Sequence, residues 1–179
     1  MMALMQGALL FSGALKAGVK KTTTLLVVSG WQDVNIGDIA HTPGLLHVLE
    51  TFMPEAKIIL WKKSGANEQV NQILHHNFPK VAIIYGDVGP DKTTSNPEIL
   101  KAFEEADVMV HGSGPSVVGA DNLEAWYKQT GKPFGIFVTT IQTIGQQLKS
   151  LLLNASFIFT RETASIKALE KAGITGNHI

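Results

Sequence analysis

The sequence predicts an α/β fold, a Rossmann-like doubly wound parallel sheet. Three observations predict it. Six short apolar runs recur along the chain, at residues 24–28, 57–61, 81–85, 107–110, 134–138 and 157–159. Most are near-continuous rather than alternating, which is the pattern of strands covered on both faces. Helical spacing fills the stretches between them, and strict alternation of strand and helix implies right-handed crossovers within one parallel sheet.

Each helix carries its own signals. After the first run, Thr42-Pro43 reads as a cap followed by a first-turn proline, with Leu45, Leu46, Leu49 and Phe52 along one side and Pro54 as the stop. Val70, Ile73, Leu74 and Phe78 have helical spacing, and Pro79 ends that helix. Asn96-Pro97 repeats the cap-and-proline device ahead of Ile99, Phe103 and Ala106. Asp121 reads as the cap of a helix carrying Leu123, Trp126 and Tyr127, closed by Gly131 and Pro133. Ile144, Leu148, Leu151 and Leu152 form a further face, and Ala168, Leu169 and Ala172 the last, closed by Gly173. Trp61 and Trp126 read as core.

The chain has 179 residues, enough for one domain that buries roughly 70% of its unfolded surface. Fifteen Lys and Arg balance fifteen Asp and Glu, so no global field draws in nucleic acid or an anionic membrane. The absence of cysteine excludes disulfides, thiolate metal sites and cysteine nucleophiles. Residues 1–19 stand apart. From Ala3 to Leu15 the residues are almost all small or apolar, too short a run for a bilayer, which needs about 20. No transmembrane segment is therefore expected. The run reads either as the remnant of an export signal, without its basic stretch, or as an apolar lead-in packed on the domain. The first reading implies an exported or periplasmic protein and the second a cytoplasmic one. Residues 20–179 make up the Rossmann-like domain.

In such sheets ligands sit beyond the carboxyl ends of the strands, so the loops there are the places to seek chemistry. The first loop, 29–38, holds Trp31, Asn35, Gly37 and Asp38. Gly37 lets a backbone approach a ligand, Asn35 can donate and accept, and Asp38 can accept from hydroxyls or cap the helix. Trp31 could stack on a sugar ring. This loop is neither a GxGxxG fingerprint nor a P-loop. The fourth loop begins His111-Gly112-Ser113-Gly114, where two glycines again permit close approach and His111, at a strand end, reads as a satisfied core histidine before a catalytic one. At the last strand end Arg161 suits a bidentate grip on phosphate or carboxylate, against the plainer reading of an Arg161–Glu162 pair. His75-His76 and the His41, His47 pair have poor ligand spacing, and Asp87 and Asp91 flank a Gly89-Pro90 turn, so no metal site is expected.

Together these loops resemble the polysaccharide pyruvyl transferase family. Asn35-Ile36-Gly37-Asp38 is similar to the family's N-x-G-D segment, and 107–114 (DVMVHGSG) to its D-hydrophobic-G-G-G strand and loop. Arg161 and Glu162, with Ser165, Leu169 and Gly173, are similar to its R-D-x-x-S-x-x-x-L-x-x-x-G segment, and 134–145 to the strand and loop between. Ser113 replaces a family glycine, Glu162 the usual aspartate, and Gln146 a common proline, departures that bear on catalysis more than on fold. The resemblance implies one half of a GT-B-type two-domain fold, with the chain stopping short of its C-terminal partner domain. It implies transfer of an enolpyruvyl group from phosphoenolpyruvate, the donor substrate, to a sugar hydroxyl of a cell-envelope polysaccharide, forming a pyruvate ketal with no cofactor. Arg161 would be the catalytic, donor-side residue. Trp31, Asn35, Gly37, Asp38, Gly112, Ser113 and Gly114 would line the substrate side. An uncovered cleft face predicts an apolar patch or a homodimer. The same residues also admit a non-catalytic domain that binds a glycan or phosphorylated metabolite, and an unrelated flavodoxin-like domain.

Overall fold

The computed structural model describes residues 22–65 and 67–176. The apolar lead-in, and with it the export reading, lies outside the described residues. Six strands form one sheet: β1 (Thr24–Ser29), β2 (Lys57–Lys62), β3 (Ala82–Ile84), β4 (Val108–His111), β5 (Phe134–Thr139) and β6 (Phe157–Thr160). Their order is β3-β2-β1-β4-β5-β6, and every pairing is parallel. This is the doubly wound arrangement, with its switch point between β1 and β4. A flavodoxin-like sheet would follow a different order and is excluded.

The helices are α1 (Ile36–Phe52), α2 (Glu68–Asn77), α3 (Pro97–Glu105), α4 (Ala120–Thr130), α5 (Gln146–Leu152) and α6 (Thr163–Lys171). Side chains alternate across each strand, so each strand feeds two cores. Val27, Leu60 and Val110 join α1 and α2 through Leu45, Leu46 and Leu74. Val28, Trp61 and Met109 join α3, α4 and α5 through Phe103, Trp126 and Leu152 on the other face. Trp61 and Trp126 are fully buried, both with ring contacts to Phe103.

Three expectations change. The first helix begins at Ile36 rather than at Thr42-Pro43, because Asn35 caps it: extended at φ −132° and ψ 149°, its Oδ1 accepts from the Asp38 amide at 2.9 Å. Pro43 is therefore interior, where its ring removes one donor. Asp121 lies in the first turn of α4 and pairs with Lys92 at 2.8 Å, while Gly119 holds the cap position. The third strand is trimmed to three residues, and as an edge its side chains are only partly covered. Asn96-Pro97 does start α3, with the Asn96 Oδ1 accepting from Glu98 and Ile99 amides, and Gly131 ends α4 in the left-handed region at φ 63°.

The far end of α3 is closed by a side chain from elsewhere in the sequence. Lys132 Nζ donates to the carbonyls of Phe103, Glu104 and Ala106 at 2.7, 2.9 and 2.7 Å and lies 5.5 Å from the Trp126 ring centroid. A cation there satisfies orphan carbonyls and opposes the helix dipole.

Candidate functional site

Parallel pairing delivers the ends of all six strands to one rim. Val28 and His111 are register partners, so the loops after β1 and β4 leave the sheet side by side. Arg161 follows β6, three strand spacings from β1, or about 14 Å across the sheet. Gly37, Gly114 and Arg161 thus share one edge of the sheet.

Loop one is fixed at both shoulders. Gly30 takes φ +71°, and a Cβ there would sit 2.7 Å from Lys62 Cγ. Lys62 is wholly buried at the end of β2, and its ammonium donates to Asp33 Oδ2 at 2.6 Å and to the Ser64 carbonyl. Asp33 is itself buried, and its carbonyl accepts from Asn67 Nδ2 at 3.3 Å. A charge pair removed from water is retained only when both groups are well bonded. Nearby, Tyr85 donates to Asn71 Oδ1 at 3.1 Å, and desolvation, with Asp33 and Glu68 adding to it, raises its pKa.

Asn35 and Asp38 serve each other. Besides the cap bond, Asp38 Oδ2 accepts from Asn35 Nδ2 and Gln32 Nε2, each at 2.5 Å. Gly37 is exposed, and a Cβ there would meet only Asn35 Oδ1, at 3.3 Å. Beside it in the chain Val34 and Ile36 are 82% and 80% exposed.

Loop four packs beneath loop one. Gly112 is required by packing, since a Cβ would lie 2.7 Å from Ser29 Oγ, which in turn bonds Thr42 at 2.8 Å. Ser113 Oγ donates to the Val138 carbonyl at 2.8 Å. Val138 holds φ +55°, a strained conformation for a β-branched residue, at the irregularity that ends β5. His111 is wholly buried, and its Nε2 accepts from the Gly119 amide at 3.0 Å. The neutral ring therefore carries its proton on Nδ1, a buried atom with no partner. Burial lowers the His111 pKa from 6.5 to about 4; backbone groups of Gly112 and His111 oppose the shift without reaching hydrogen-bond geometry.

Trp31 does not stand out as an open platform. Its ring lies against His111 with centroids 4.7 Å apart and planes tilted by 30°, and its Nε1 donates to the Ser113 carbonyl at 2.7 Å. A Cβ on Gly114 or Gly119 would come within 3.1 Å of the indole, so both glycines leave room for it.

A ladder of backbone bonds then crosses to Arg161. Thr140 N–H donates to the Gly114 carbonyl at 3.2 Å, and Arg161 N–H to the Thr139 carbonyl at 3.3 Å. Glu162 does not pair with Arg161. Its carboxylate accepts from Thr140 Oγ1 at 3.1 Å and from the Ser165 hydroxyl, which accepts from the Ile141 amide at 2.7 Å. This clasp ties the loop after β5 to the turn after β6 and leaves the Arg161 side chain exposed.

The structure therefore groups Trp31, Gly112, Ser113 and Gly114 around His111, sets Asn35, Gly37 and Asp38 at the start of α1, and keeps Arg161 beyond β5. Sequence reasoning missed Lys62, Asp33 and the Thr140–Glu162–Ser165 clasp. A lysine closing an apolar strand was the one available signal for the first pair. Among the described residues, no three His, Cys, Asp or Glu side chains cluster as metal ligands, and no helix is long and apolar enough to cross a membrane. Compared with known proteins, the chain matches no family model and no curated protein.

Proposed function

We propose that this domain serves a polysaccharide pyruvyl transferase-like reaction. The enolpyruvyl group of phosphoenolpyruvate passes to sugar hydroxyls, closing a pyruvate ketal as two C–O bonds form at the enol carbon and inorganic phosphate leaves. Arg161 is the group that grips the donor phosphate or carboxylate. Asn35, Gly37 and Asp38 with Gly112, Ser113 and Gly114 frame the acceptor side, and Trp31 bounds it. The reaction also requires an acid that protonates the methylene carbon. The observation that carries this reading is the exposed Arg161 guanidinium on the glycine-bearing rim, with Glu162 turned away from it into bonds with Thr140 and Ser165.

One observation favours a second reading, a non-catalytic domain that binds a glycan or phosphorylated metabolite. The carboxylates of Asp38 and Glu162 are each engaged by two neighbouring side chains, as structural acceptors. A single experiment separates the two. The protein is incubated with phosphoenolpyruvate and a panel of methyl hexopyranosides, with phosphate release followed by a coupled assay and ketal formation by NMR. Turnover that falls about a hundredfold in Arg161→Ala supports the transferase. Saturable phosphoenolpyruvate binding without phosphate release supports the binding domain. Binding or turnover that is indifferent to Arg161→Ala overturns the role given to that residue.

A further inference from the structure

At the β1/β4 switch point, where ligands of doubly wound sheets sit, the Trp31 indole lies against His111 at the end of β4 and bonds the Ser113 carbonyl. We propose that the place the indole occupies is a binding site for a flat heteroaromatic ring carrying an N–H donor, of the shape and chemistry of a nucleobase, and that the Trp31 indole is its built-in competitor.

The slot is defined by what touches the indole. His111 lies against the ring, and Gly114 and Gly119 present bare backbone where side chains would collide with it. Such a slot suits a flat ring and crowds a puckered one. Its polar demand is equally specific: the Ser113 carbonyl takes an N–H from the indole, so a replacement must bring a donor to the same point. An exocyclic amino group or ring N–H of a base meets that demand.

The geometry also states how the slot opens. The backbone on either side of Trp31 is held by the buried Lys62–Asp33 pair and by the packing of Gly30 on Lys62, so loop one does not swing as a unit. The side chain has one hydrogen bond and is only partly buried, whereas His111, Gly114 and Gly119 beneath it are buried. Rotation about the Trp31 side-chain torsions alone uncovers the slot. A ligand that must wait for this rotation binds with an apparent affinity reduced by the open fraction. Removing the indole should therefore tighten binding, the reverse of what removing a contact residue does.

This inference is independent of the transfer reaction proposed above, and its probe is a nucleoside rather than phosphoenolpyruvate. Adenosine binding to the wild-type protein and to Trp31→Gly is measured by calorimetry, with methyl glucopyranoside as the puckered control. The expected result is binding at least about tenfold tighter in Trp31→Gly for adenosine and no tightening for the pyranoside. A folded Trp31→Gly that binds adenosine no better than wild type overturns the proposal, as does equal tightening for the pyranoside. Should Trp31→Gly not fold, wild-type protein labelled with 5-fluorotryptophan gives the answer by 19F NMR. Millimolar adenosine should move the Trp31 resonance toward that of an exposed indole and leave those of the buried Trp61 and Trp126 in place. No movement of the Trp31 resonance would refute the competitor role.

Discussion

Replacing His111 with glutamine should remove one distinct contribution to the acid sensitivity of the fold. Glutamine keeps an acceptor near the place of Nε2, so it can still take the Gly119 amide, but it does not titrate. In the folded protein the His111 pKa lies at about 4, pushed down from 6.5 by burial. Between those values the unfolded chain binds a proton that the folded one refuses. Stability is then fully present above about 6.5 and is lost as the pH falls toward 4. At about 1.4 kcal/mol for each pH unit between the two pKa values, the loss from neutral pH to about pH 4 is about 3 kcal/mol. The assay is urea denaturation of both proteins at neutral pH and near pH 4. His111→Gln should be the less stable at neutral pH, because it forfeits the ring contact with Trp31, and the difference should close or reverse near pH 4. Parallel pH profiles for the two proteins would mean that His111 is not buried neutral, and the account of loop four would fail with it.

Other substitutions test separate parts of the structure. Lys62→Met, which leaves Asp33 buried without its partner, should cost about 3–5 kcal/mol in urea melts, and a cycle with Asp33→Asn should show strong coupling between the two. Ser165→Ala removes the hydroxyl that links Glu162 to the Ile141 amide; a loss of about 1–3 kcal/mol and faster hydrogen exchange at Ile141 are expected. Gly44→Ala in the exposed interior of α1, where a Cβ meets nothing within 4 Å, should raise stability by about 0.5–1 kcal/mol. Gly135→Ala should do the opposite, since its Cβ would fall 2.2 Å from the Phe157 ring, and a melting temperature at or above wild type would contradict the packing described.

The strands were legible in the sequence because burial on both faces demands unbroken apolar runs, and 24–28, 57–61 and 134–138 have them. The start of α1 was not, because a proline is the stronger visual signal. Asn35 caps the helix seven residues before Thr42, and Pro43 fits within it at the loss of one donor. The burial of Lys62 was not legible for a related reason. A lysine at the end of a strand normally marks the exit to solvent, and its partner Asp33 lies 29 residues away with no periodicity to connect them. The inward packing of Trp31 was equally invisible, since it depends on the register that sets Val28 beside His111. Loop identities were readable residue by residue; which loops touch was decided by strand order.

The closure of α3 by Lys132 has a consequence of its own. Three carbonyls at one helix end share a single ammonium, supplied from beyond the following strand and helix. Those carbonyls therefore gain this donor only once β4 and α4 are in position. Acylation of the Lys132 amine would strip the charge and all but one of its protons, unseating a segment far from the rim without touching any residue there.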